Sequence, residues 1–69
     1  MTPEIWTHEF EFAHGRRPSG RGGWAFLFGE GRDVEPEWAP GGGQLYGEAK
    51  RWAIAEAKRR GVPVVRVAT

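Results

Sequence analysis

Arg16, Arg17 and Arg21 lie close together in the segment HGRRPSGRGGWAF, residues 14–26, which also holds four glycines and a proline and no acid. A guanidinium presents a planar fork of donors that matches two oxygens of one phosphate. Gly15, Gly20, Gly22 and Gly23 permit positive φ and close backbone approach, and successive amides in such turns form anion-binding nests. The chemistry this combination supports is phosphate contact, on a nucleic-acid backbone or another phosphorylated ligand. His14 borders the segment and adds a donor when protonated. The simpler alternative is a solvated turn, because turns collect Gly, Pro and Ser for conformational reasons alone. GRGGWAF is not a nucleotide-phosphate loop of the Walker type: no Gly-Lys-Ser/Thr follows, and the segment opens a strand rather than a helix.

Lys58, Arg59 and Arg60 form a second basic cluster, at the predicted end of a helix. Cations there complement the helix dipole without any ligand. If this cluster shares a face with Arg16, Arg17 and Arg21, the two make one electrostatic footprint for a polyanion.

Other chemistries lack their residues. Cysteine is absent, which removes disulfides, thiolate metal sites and thiol nucleophiles together. His8 and His14 would stand about 20 Å apart along an extended strand, too far to share a metal, so His8 reads as a packed histidine. Glu9, Glu11 and Glu48 read as solvated or dipole-complementing charges. No nucleophile with a base and no carboxylate cluster can be assembled. The expectation is a protein that is not an enzyme, with no cofactor and no metal.

The elements that must position the arginines follow from periodicity. IWTHEFEFAH, residues 5–14, alternates with period two and predicts a half-buried strand. GGWAFLFG, residues 22–29, has apolar groups on both faces and predicts an inner strand, antiparallel to the first, with the arginines at the hairpin tip. Residues 30–43 read as a long irregular connection with a brief edge strand over 37–39. GQLYGEAKRWAIAEAKRRG predicts a helix over about 45–60, with Tyr46, Ala49, Ala53 and Ala57 on one narrow ridge, Trp52 off it, and Gly61 as a left-handed cap. VPVVRVAT closes as a β-branched strand. The expected fold is α+β: an antiparallel sheet of three to four strands with one helix on one face, in the order ββ(β)αβ.

With 69 residues the chain makes one domain, 1–69, whose core is thin for its size. Four Trp, four Phe and one Tyr compensate, since each aromatic brings about 150–250 Å² of burial. Net charge is only +1, yet acids gather in EGRDVEPE while bases hold residues 16–21 and most of the second half, so local fields choose the partners. No run approaches the ~20 apolar residues of a membrane span, and MTPEIWTHEF lacks the order of a signal peptide. A soluble, cytoplasmic protein without membrane contact is expected.

The blocks EFAHGRRPSGRGGWAFLF, GEAKRWAIAEAK and VPVVRVAT resemble the hairpin, helix and following strand of the first half of a ribonuclease H domain, and the truncated, non-catalytic form of that fold resembles HicB-type antitoxins. Glu11 or a neighbour stands where the ribonuclease H family has Asp, and the carboxylate set for two-metal chemistry is incomplete, so the resemblance implies the fold and not nuclease activity. FEFAHGRRPSGRGGWAF followed by YGEAKRWA is also similar to small phage- and mobile-element-type proteins, which implies no particular activity. The function expected is that of a nucleic-acid-binding accessory domain contacting a DNA or RNA backbone through His14, Arg16, Arg17 and Arg21, with Lys58, Arg59 and Arg60 in support. The alternative is a protein-interaction or homodimerisation module anchored by an exposed Trp24, Trp38 or Trp52.

Overall fold

Two short apolar runs, β3 (Ala25–Phe28) and β6 (Val64–Val67), form the centre of the sheet in the computed structural model, which describes residues 2–69. Around them stand β1 (Glu4–Trp6), α1 (His8–His14), β2 (Arg21–Gly22), β4 (Glu37–Trp38), β5 (Gln44–Leu45) and α2 (Tyr46–Arg60). The main sheet runs β1-β6-β3-β4, and β2 pairs with β5 in a separate two-stranded ladder. β3 is antiparallel to both neighbours, Phe26 facing Val67 on one side and Glu37 on the other. β1 lies parallel to β6, with Ile5 opposite Val65.

Side chains alternate across a strand, so this register sorts residues onto two faces. Phe26, Phe28, Val65 and Val67 point toward α2, whose Ala49, Ala53 and Ala57 are fully buried. Methyl side chains along that ridge let the helix sit close to the sheet. Trp52 fills the flank, its ring 6.2 Å from that of Phe26 and 5.8 Å from that of Phe28. α2 opens with Glu48 accepting the Leu45 amide at 3.3 Å. It closes in a Schellman motif: Gly61 takes φ 70°, and the Val62 and Gly61 amides donate to Ala57 and Lys58 carbonyls at 2.9 and 3.2 Å. The predicted helix, its alanine ridge, the glycine cap, the closing strand and the short edge strand β4 all form as the sequence implies.

The first segment does not. Strand pairing over residues 5–14 and a hairpin with 22–29 are expected from the alternation, but only Glu4–Trp6 is extended and His8–His14 is helical. β3 therefore takes its partners from β6 and β4. The helix has its own local reasons. Thr7 precedes it and donates to the Glu11 carboxylate, Glu9 and Glu11 suit the positive end of the helix dipole, and Gly15 closes it at φ 70° by donating to the Glu11 carbonyl at 2.7 Å. Phe10 and Phe12, which would share a strand face, point about 200° apart on a helix. Phe10 enters the core, while Phe12 is 95% exposed. His8 is exposed rather than packed, its ring 5.6 Å from Trp6, and its rise to His14 shrinks to about 9 Å.

The architecture is α+β, as expected, with two differences. The sheet is mixed rather than antiparallel, and a second helix, α1, lies against the face opposite α2, where Glu9 accepts from Arg66 at 3.2 Å.

Candidate functional site

The arginine segment is the connection from α1 to β3, and its two stems converge. His14, at the end of α1, and Gly23, just before β3, both line a cavity of about 260 Å³ whose other walls include Phe10, Trp24, Pro36 and Trp38. Phe10 and His14 sit one helical turn apart and stack at 4.2 Å, so the local helix orients the imidazole. Trp38 reaches the same place from the edge strand β4. Its partner across the ladder is Ala25, on the face away from α2, and its indole is 70% exposed. Gly23 makes room for that ring: a β-carbon there would lie 3.2 Å from Trp38 Cζ3.

The loop between the stems is held at several points. Pro18 is buried. The Gly20 carbonyl accepts the Tyr46 amide at 2.9 Å, Arg21 and Gly22 pair with Leu45 and Gln44, and Arg21 Nη1 donates to the Gly43 carbonyl at 2.7 Å. The returning limb is thus fastened to the start of α2. Of the four glycines expected to shape an anion nest, Gly15 is used as a helix cap and only Gly20 adopts positive φ within the loop; Gly22 and Gly23 keep ordinary φ as they lead into strand. The phosphate chemistry of this segment rests on its guanidinium groups. Arg16 and Arg17 are exposed and, among the described residues, make no ion pair or side-chain hydrogen bond.

Lys58, Arg59 and Arg60 do not join this site. The loop is tied to the first residues of α2 and the cluster lies in its last turn, about 20 Å away along the helix. Two of the three are also engaged. Arg60 donates to both Glu37 oxygens at 2.7 Å, bonds Glu56 at 3.0 Å and stacks its guanidinium 4.4 Å over the Phe28 ring. Arg59 pairs with Glu56. The hydrogen bond from Arg59, followed by that from Arg60, holds the Glu56 carboxyl down at about 2, and the bond from Arg60 lowers Glu37 as well. Lys58 alone is exposed without an ion pair among the described residues.

Sequence reasoning missed two features. Arg66 is half-buried in β6, where Nε donates to the Gly29 carbonyl at 2.9 Å and Nη2 to the Gly31 carbonyl at 2.7 Å, besides its bond to Glu9. A lone arginine in VVRV was the available signal. The Trp38 cavity was the other, and it depends on contacts between segments remote in sequence. Of the three tryptophans considered as anchors, Trp24 is buried, its Nε1 without an acceptor, and Trp52 is half-buried; Trp38 is the exposed one.

No helix among the described residues is long and apolar enough to cross a membrane, and no group of three or more His, Asp or Glu there is placed to hold a metal ion. Compared with known proteins, the chain matches no family model, no curated protein and no solved structure.

Proposed function

We propose that the protein is a non-enzymatic nucleic-acid-binding domain that contacts the phosphate backbone with Arg16 and Arg17 and with the donors of Arg21 not used on Gly43. The observation that carries this reading is the pair of exposed arginines without acidic partners, on a loop whose Pro18 is buried and whose returning limb is fastened to the start of α2. A fastened loop loses less conformational freedom on binding, so its cations are cheaper to order against a ligand.

The double variant Arg16→Ala, Arg17→Ala leaves the Gly43 bond and the β2–β5 ladder in place, so it should melt like the wild type. Its affinity should fall for most sequences alike, because phosphate contacts position a partner without reading bases. The slope of log K against log salt should drop by about 1.8 on duplex DNA or about 1.4 on single strands. Fluorescence anisotropy across a salt series measures both. A folded double variant that binds as well as wild type removes the proposal.

The second reading, an interaction module or homodimer, is favoured by one observation: Trp38 and Phe12 are large, apolar and exposed. Sedimentation of the protein alone tests it. A dimer that Trp38→Ala dissociates, together with no nucleic-acid binding at low salt, would establish it over the first.

A further inference from the structure

Resting on that reading, we infer that the strand bound is single, and that one unpaired base enters the cavity beside the loop and stacks on Trp38. Three observations converge. The cavity is aromatic on several sides, with Phe10, His14, Trp24 and Trp38 lining it, and Trp38 offers an exposed ring at its edge. The loop that bears the arginines begins and ends on the cavity wall: Arg16 is two residues from His14 and Arg21 two from Gly23, so each α-carbon lies within about 8 Å of a lining residue's. An arginine side chain spans the remaining distance to a phosphate flanking a base held there.

The local charge agrees. Four acids adjoin lining residues in sequence, and two of them are ion-paired, Glu9 with Arg66 and Glu37 with Arg60, while Glu11 accepts only from the neutral Thr7 hydroxyl. Glu11 and Glu35 keep their charges unpaired, against three arginines of the loop that pair with no acid among the described residues, Arg16, Arg17 and Arg21. An apolar, ring-lined slot next to guanidiniums that outnumber the unpaired acids fits a ligand that is flat and aromatic at one point and anionic on either side of it. A nucleotide within a strand has that form. In a duplex the faces of the bases are covered by their stacking neighbours, so Trp38 distinguishes single strands by having a face to meet. A protein segment would offer the aromatic group without the flanking anions.

The experiment compares an oligothymidylate of about ten nucleotides, an abasic strand of the same length and a duplex, at one low salt concentration. Wild type should bind the oligothymidylate more tightly than the abasic strand, by roughly 5- to 150-fold if one base stacks. The duplex should bind like the abasic strand. Trp38→Ala should bring the oligothymidylate down to the abasic level with the salt slope unchanged, and Trp38→Phe should restore part of the difference. Gly23→Ala, which crowds the indole without removing it, should fall between. Circular dichroism confirms that each variant is folded, and because Trp38 is an exposed edge residue two independent variants report on it. Equal binding of abasic and thymidylate strands, or full affinity in folded Trp38→Ala, overturns the base site and leaves the loop reading standing. Absence of binding to any strand, or an unaffected Arg16→Ala, Arg17→Ala variant, overturns both.

Discussion

The two faces of the central sheet are built to different standards. Under α2, Phe26, Val65 and Val67 are fully buried against alanines spaced to let the helix settle, and the salt-bridged Arg60 closes the far edge over Phe28. On the other face α1 is only two turns long, Arg66 occupies a central strand position, and the space between α1 and the edge strand stays open as the Trp38 cavity. One side secures the fold. The other carries the exposed Trp38, so residues there are free to answer to a ligand instead of to packing.

The sharpest way to break this contrast is to weaken the packed face. Phe26→Ala should cost about 3–5 kcal/mol, since it removes a fully buried ring and leaves a cavity. In a domain of this size, thermal or denaturant melting should show most of the stability gone. A loss no larger than that of a surface change would mean that the core lies elsewhere.

A smaller effect is expected at the rim of the packed face. Glu56 titrates at about 2 in the folded protein against 4.5 ordinarily, so it binds its proton more readily in the unfolded chain. Its contribution is complete above pH 4.5 and is lost as the pH falls toward 2. Glu37, also lowered, adds in the same sense. Melting temperatures of wild type and Glu56→Gln should differ near neutrality and converge at the acid end of that window. Parallel curves over the whole range would refute the assignment.

The smallest effect belongs to the open face. Phe12→Ser should change stability by no more than about 0.5 kcal/mol, because the ring is 95% exposed. Were residues 8–14 a strand, Phe12 would share the buried face of Phe10 and the same change would cost several times more. Melting of this one variant separates helix from strand.

That ambiguity explains what could be read in advance. α2 was legible because Tyr46, Ala49, Ala53 and Ala57 recur at the spacing of one helical ridge and Gly61 marks its end; a strand would put Tyr46 on the face opposite the three alanines. EFEFAH was not, since Phe10 and His14 satisfy both a period of two and a four-residue helical spacing. Thr7, the early glutamates and Gly15 were the helix signals present, outweighed by the visible alternation. At the site, the loop and its arginines were legible from composition. Their relation to Trp38 was not, because it arises when β4 pairs with β3 and brings an edge residue beside the stems of a distant loop. The separation of Lys58, Arg59 and Arg60 from that loop likewise follows from β2 docking on β5 at the opposite end of the helix.

β6 has a further consequence for how the molecule comes into being. It lies between β1 and β3, yet it is the last of the described elements to be synthesised, and β1 has no other ladder partner, Glu4 waiting for Val64. Such distant pairing bears the loop-closure entropy of nearly the entire chain and favours slow, late assembly. α2 can coil by itself, but Phe26 lacks Val67 and β1 lacks its ladder hydrogen bonds until β6 is in place. The sheet therefore closes from the inside, when β6 takes its place between β1 and β3.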